Sequence, residues 1–141
     1  MLVSHRIDNE NKVIITTFAP EEATLKLFIQ AFSNYQEELQ FLPEYQEYHE
    51  LVDFRPILSI NVIAAELKEF SNLTLATDHR QSVTKLALLV DSKPAYTLAR
   101  VYQMLRNFSP GSKKQVKVFR GMDEAYEWLC QDDTAQTDRP A

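Results

Sequence analysis

The chain has 141 residues, 45% of them hydrophobic, with a formal net charge of -5 and a pI near 5.2. That length and apolar content suit one domain that buries its own core without disulfides or a structural metal, and the acidic balance excludes generic binding to nucleic acid or an anionic membrane, whose fields would repel it. Cys130 is the single cysteine, which excludes an internal disulfide. The segment MLVSHRIDNENK lacks the basic and apolar regions of a signal peptide, and no apolar run approaches the ~20 residues of a spanning helix, so a soluble, cytoplasmic protein that is not integral to a membrane is expected.

In chain order, LVSHRI and KVIITTF are β-rich runs parted by DNEN, whose short polar side chains favour a tight turn, and they predict a hairpin. PEEATLKLFIQAFSNY predicts an amphipathic helix. Pro20 suits its first turn, Glu21 and Glu22 suit the positive end of its dipole, and Leu25, Phe28, Ile29 and Phe32 recur at i, i+3, i+4 and i+7. ELQFLPEYQEYH loses that period and, with Pro43 among aromatics and carboxylates, reads as an ordered loop, after which ELVDF resumes as a strand. Beyond Pro56, residues Ile60, Ile63, Ala64 and Leu67 share one helical face, and Ser59 stands where an N-cap hydroxyl is useful, predicting a second helix.

NLTLATDHRQSV fits either helix extension or loop. TKLALLV is a continuous apolar run of strand length, as expected of a central parallel strand covered on both faces. DSKP starts a third helix, with Leu98, Val101, Tyr102, Leu105 and Phe108 on its buried stripe and SPGS at its end. QVKVF is the last strand and MDEAYEWLC a short helix capped by Asp123. QDDTAQTDRPA, residues 131–141, is a polar tail expected to be disordered, which leaves one domain over residues 1–130. The order ββαβαβαβα predicts an α/β fold with a mostly parallel five-stranded sheet, its first strand joined antiparallel by the N-terminal hairpin.

Several chemistries are excluded by counting. The two glycines, Gly111 and Gly121, build neither a P-loop nor a G-x-G-x-x-G turn. His5, His49 and His79 lie far apart and one cysteine cannot make a thiolate zinc site, so no metal and no cofactor are predicted. A G-x-S-x-G elbow is missing and Cys130 ends a helix without an evident base, so no catalytic residue is predicted and the protein is expected not to be an enzyme.

What remains is a set of polar residues at the carboxyl ends of the parallel strands, where α/β proteins bind ligands and helix N-termini offer unpaired N–H groups. Arg55 follows LVDF, Lys93 follows LALLVDS and Arg120 follows VKVF. Neighbouring strand ends step by ~4.8 Å, close enough for the three cations to share one rim. Asp53 is placed to orient Arg55 and Asp91 to orient Lys93, with Ser92 between them. The plain alternative is a row of solvated strand-end charges. Phe41, Tyr45 and Tyr48 either cover an apolar ligand or form a satellite cluster under the loop.

PEYQEYHELVDFRPILSINVIAAEL, LALLVDSKPAYTLARVYQML and VKVFRGMDEAYEWL together resemble the bacterial SpoIIAA-like proteins, a branch of the STAS superfamily related to anti-sigma-factor antagonists and also grouped with CRAL-TRIO lipid-binding proteins. The resemblance implies a role for Tyr96 and Arg100, one helical turn apart on the third helix. It also sets Ser59 near the serine that a partner kinase phosphorylates in the sporulation antagonists, although Ile57-Leu58-Ser59-Ile60-Asn61 carries no glycine in that turn. Two functions follow as expectations. One is a non-enzymatic STAS-like regulatory or protein-interaction module with a protein partner. The other is a carrier or sensor that binds a small molecule, an anion or a lipid at the carboxyl ends of the strands. A homodimer is compatible with either. An enclosed pocket would favour the second.

Overall fold

The computed structural model describes residues 2–80 and 82–131. The described residues form β1 (Val3–Asp8), β2 (Val13–Phe18), β3 (Glu22–Thr24), α1 (Leu25–Tyr35), β4 (His49–Asp53), β5 (Ser59–Asn61), α2 (Ala64–Leu75), β6 (Thr84–Leu89), α3 (Lys93–Asn107), β7 (Lys114–Phe119) and α4 (Met122–Leu129). The main sheet has the order β1-β2-β4-β6-β7, with β1 antiparallel to β2 and every other pair parallel. This is the mostly parallel α/β sheet with an N-terminal hairpin that the element order predicts. The hairpin turn is closed by Asp8, whose carboxylate accepts from the backbone N–H of Asn11 at 3.1 Å and from its side-chain amide at 2.9 Å.

Side chains alternate across a strand, so each strand feeds two cores. On one face Val13, Ile15, Leu51, Ala87 and Leu89 pack under Trp128 and Leu129 of α4. On the other, Leu86, Leu88, Val90 and Val116 meet Leu67 of α2 and Ala95, Ala99 and Tyr102 of α3, with α1 beside them. All six residues of β6 are buried, which is why TKLALLV reads as unbroken apolarity. Lys85 keeps its place in that strand because its ammonium donates to the carbonyls of Trp128 and Gln131, each at 3.0 Å, at the negative end of α4.

Four local expectations are corrected. Helix α1 begins at Leu25, not in the turn after Pro20: residues 22–24 pair as a strand with residues 59–61, and Thr24 caps the helix by accepting from the Leu27 N–H at 3.1 Å. Helix α2 likewise begins at Ala64. Exposure alternates from Ser59 through Ile60, Asn61 and Val62 to Ile63, which is a strand pattern, and Ile60 and Val62 turn into the core. Ser59 is thus an exposed strand residue, while Glu66 caps α2 by accepting from the Ile63 N–H at 3.1 Å. On α3 the buried positions are Ala95, Ala99, Tyr102 and Arg106, and Phe108 is 84% exposed. The N-cap of α4 is Gly121, with Asp123 in the first turn.

The ELQFLPEYQEYH stretch is ordered, but its start continues α1 as a π-helical turn over Gln36–Gln40, followed by a 3-10 turn at Pro43–Tyr45. The expectation of a disordered tail falls on residues 132–141, outside the described residues.

The placement of Ser59 has a measurable consequence. Ser59→Asp is expected to change stability by no more than ~0.5 kcal/mol in urea denaturation, since an exposed edge position loses no partner. Thr24→Ala, which removes a cap, should cost ~1 kcal/mol. The reverse ranking would mean that helices α1 and α2 start elsewhere.

Candidate functional site

Between the sheet and helices α1, α2 and α3 lies a half-open cavity of about 150 Å³. Its origin is visible in the helix faces. Where α1 and α3 approach the sheet they present Ala31, Ala95 and Ala99, short side chains that line the cavity together with inward residues of β2, β4 and β6. Protein interiors otherwise pack with few voids larger than a water molecule. A void of this size framed by alanines is therefore a distinctive feature of the fold.

Toward the carboxyl ends of the strands the walls are aromatic and aliphatic. The Phe18 and Phe54 rings stack with centroids 5.0 Å apart, and Phe28 meets Phe54 edge-on at 6.0 Å. Half-buried Ile57, Ile60 and Leu98 complete this end, with Ile60 held in place by the β3–β5 pair. At the amino ends of the strands the walls become charged. Lys114 at the start of β7 places its ammonium 2.5 Å from Glu50 Oε1 and donates to Thr84 at 2.8 Å. Glu50 Oε2 accepts from the Tyr35 hydroxyl at 2.5 Å and from the Gln40 amide at 3.2 Å. Beside this pair Arg106, 2% exposed, donates to Asp78 at 2.5 Å and to Thr74 and Tyr102 at 2.9 Å each. Asp78 also accepts from the backbone N–H of Lys113 at 2.7 Å, which ties the end of α2 to the start of β7.

The electrostatics follow from burial and pairing. Burial pushes the Glu50 carboxyl up, but the Lys114 charge and the hydrogen bonds from Lys114, Tyr35 and Gln40 outweigh it and hold the group below the ordinary carboxylate value. Burial first, and the Glu50 carboxylate second, drive the Tyr35 hydroxyl well above its usual range. The Tyr102 hydroxyl is also raised by burial, with Arg106 opposing. For Arg106, burial is overcome by Tyr102 and Asp78, so its guanidinium is held more firmly protonated. Both carboxylates in the wall are thus spent on a cation. Among the described residues three buried polar atoms have no hydrogen-bond partner: Glu50 Oε1, which faces the Lys114 ammonium at 2.5 Å, and Gln40 Oε1 and Arg106 Nε, which face no counter-charge. Gln40 is 8% exposed, and both Gln40 and Arg106 line the cavity. Among the described residues no group of three His, Cys, Asp or Glu side chains is placed to hold a metal ion, and no helix is long and apolar enough to cross a membrane.

No protein-family model and no curated protein matches the sequence. Among solved structures, an uncharacterized protein of the DUF3478 family from Shewanella loihica PV-4, described as having a SpoIIAA-like fold, aligns with a TM-score of 0.55 over 91% of this chain and 92% of its own, at 15% sequence identity. The fold is SpoIIAA-like. At that identity the likeness is one of architecture, and the residues of the site are argued from this chain alone.

Within the SpoIIAA-like fold the residues anticipated at the carboxyl rim do not gather as one cluster. The strand ends are neighbours, since Asp53 is in register with Leu89 and Leu89 with Phe119. Arg55, however, clamps Asp53 through two hydrogen bonds of 3.0 and 2.9 Å, and Asp53 shares its face with Leu51, on the α4 side. Those hydrogen bonds, with the nearby Asp53 and Asp91 charges, outweigh burial and raise the Arg55 guanidinium further. Arg120 instead lies over the Tyr96 ring of α3, 4.5 Å from its centroid, on the opposite side of the sheet. Tyr96 is therefore matched with Arg120 rather than with Arg100, which is exposed one turn further along α3. Ser92 caps α3 by accepting from the Ala95 N–H at 3.2 Å, while Asp91 and Lys93 are exposed beside it.

The aromatic loop also stays apart from the cavity. Tyr45 packs edge-on against Tyr48 at 5.1 Å, and Arg80 stacks 3.8 Å above Phe41. His49 opens β4 and accepts from the Lys85 backbone N–H at 2.9 Å.

Proposed function

We propose that this protein is a non-enzymatic STAS-like module that holds a small molecule in its interior and acts as a sensor or carrier. The observation that carries this reading is the half-open pocket of about 150 Å³ between the sheet and three helices. A void of roughly this size is enough to admit a benzene-sized ligand, and far too small for a lipid chain without expansion. Leaving the void unfilled forfeits dispersion contacts along its walls, so an occupant of matching shape gains what the empty fold lacks. The pairing of Glu50 with Lys114 and of Asp78 with Arg106 supports a binding role over a catalytic one, because neither carboxylate is left as a free base.

Benzene is the direct probe. Saturating benzene should raise the melting temperature according to RT ln(1 + [L]/Kd). Ala99→Leu, which fills the void from α3, should abolish the response. Absence of any benzene-dependent shift in the wild-type protein would overturn the reading. A protein-interaction role without a ligand is the second reading, favoured by the SpoIIAA-like fold together with Leu58 and Ile63, exposed 73% and 63% on either side of β5.

A further inference from the structure

We infer that the cavity takes a neutral, ring-sized apolar molecule bearing one hydroxyl group, a simple phenol, with the hydroxyl at the Gln40–Arg106 end. The inference rests on the cavity being a ligand site and adds the class of ligand.

Size comes first. About 150 Å³ accommodates a single six-membered ring with small substituents. The wall chemistry suits an aromatic one, because Phe28, Phe54 and Phe70 all line the cavity.

Charge comes second. The polar wall holds two carboxylates, Glu50 and Asp78, and two cations, Lys114 and Arg106, each carboxylate within 2.5 Å of its cation. A ligand with a net charge would enter a buried site in which every charge already has its counter-charge, and would remain uncompensated there. The site therefore selects a neutral molecule, which also separates it from the solvated cations of the carboxyl rim.

Hydrogen bonding comes third. Gln40 donates through its amide to Glu50, which fixes Oε1 as an acceptor without a donor. Arg106 uses its two terminal nitrogens on Asp78, Thr74 and Tyr102, which leaves Nε–H as a donor without an acceptor. Buried polar groups left unmatched cost free energy that a matching ligand recovers. A hydroxyl is the smallest neutral group that both donates and accepts, so it can satisfy either atom. A ketone or ether would answer only Arg106, and a hydrocarbon neither.

The test compares p-cresol, toluene and p-toluate, three para-substituted rings of similar size that differ in hydroxyl and charge, by calorimetric titration of the wild-type protein. p-Cresol is expected to bind about tenfold or more tightly than toluene, and p-toluate is expected not to bind. Gln40→Met, close in volume but without the acceptor, should bring the affinities for p-cresol and toluene together. Ring-current shifts of the Leu88 and Leu98 methyl resonances on adding p-cresol should locate the ring in the wild-type protein, whether or not Gln40→Met folds. Equal binding of toluene and p-cresol would overturn the hydroxyl assignment while leaving the cavity as a ligand site. Preferential binding of p-toluate would overturn the requirement for neutrality. Binding of none of the three, or p-cresol binding without shifts at Leu88 and Leu98, would remove the ligand site and the inference together.

Discussion

Lys114→Met is expected to destabilise the protein by about 3–5 kcal/mol, because it leaves the Glu50 carboxylate buried with no counter-charge. Glu50 is 6% exposed and Lys114 7%, so water cannot take over from the missing partner. The Tyr35 and Gln40 hydrogen bonds at 2.5 and 3.2 Å remain and soften the loss without cancelling a full charge. The double change Glu50→Gln with Lys114→Met should recover much of it, since removing both charges also removes both desolvation costs. Urea denaturation of the two single variants and the double gives the coupling directly. Additive losses would mean that the pair is solvated in solution.

The same pair sets an acid limit. The Glu50 carboxyl is held below its ordinary value in the folded protein, so the folded state binds its proton less readily than the unfolded chain. Its contribution is complete above the unfolded carboxylate value and is lost as pH falls through the lower, folded one. Wild-type stability should therefore fall below about pH 4.5. Lys114→Met should weaken that acid arm, because only the Tyr35 and Gln40 hydrogen bonds then oppose burial.

Much of this architecture is written in patterns of period two and 3.6. TKLALLV, all buried, shows its place between two parallel neighbours, and QVKVF alternates as a strand with one covered face. The same alternation carries the missed half of the site. Glu50 sits two residues before Val52, and Lys114 two before Val116, so strand geometry alone turns both charges inward. A glutamate and a lysine at the starts of strands read more readily as solvated flanks, and only the pairing of β4 with β6 and of β6 with β7 brings them together. Arg106 was legible in a similar way, continuing Ala95, Ala99 and Tyr102 at helical spacing, yet an arginine on a buried stripe is credible only once Asp78 is known to face it.

The cavity itself has no sequence signature. It arises from three alanines on two helices facing one sheet, a coincidence of tertiary packing. The rim residues take separate faces for a related reason: sequence adjacency places cations after strands, but the face each one takes is set by its partner, Asp53 for Arg55 and Tyr96 for Arg120. Helix α2 begins later than expected because Ile60 and Val62 alternate with exposed Ser59, Asn61 and Ile63, and pairing with β3 holds that stretch as a strand.

Leu88→Ala is the second change of large expected effect, at about 2–5 kcal/mol, combining lost transfer energy with added void. Leu88 is 4% exposed on β6, projects into the wall of the cavity, and belongs to a strand held on both sides by β4 and β7. A strand so restrained cannot move inward to close the gap, so the loss should lie toward the upper part of that range. Leu2→Ala, half-buried beside the hairpin, should cost well under ~1 kcal/mol in the same urea melts. The two effects also differ in what they do to binding. The void left at Leu88 joins the cavity already present, so the variant should regain stability on adding a longer ring ligand such as n-propylbenzene, which gains less from the tighter wild-type cavity. A Leu88→Ala loss below 1 kcal/mol, with n-propylbenzene no better for the variant than for the wild type, would mean that this face of β6 closes against helices α2 and α3 in solution.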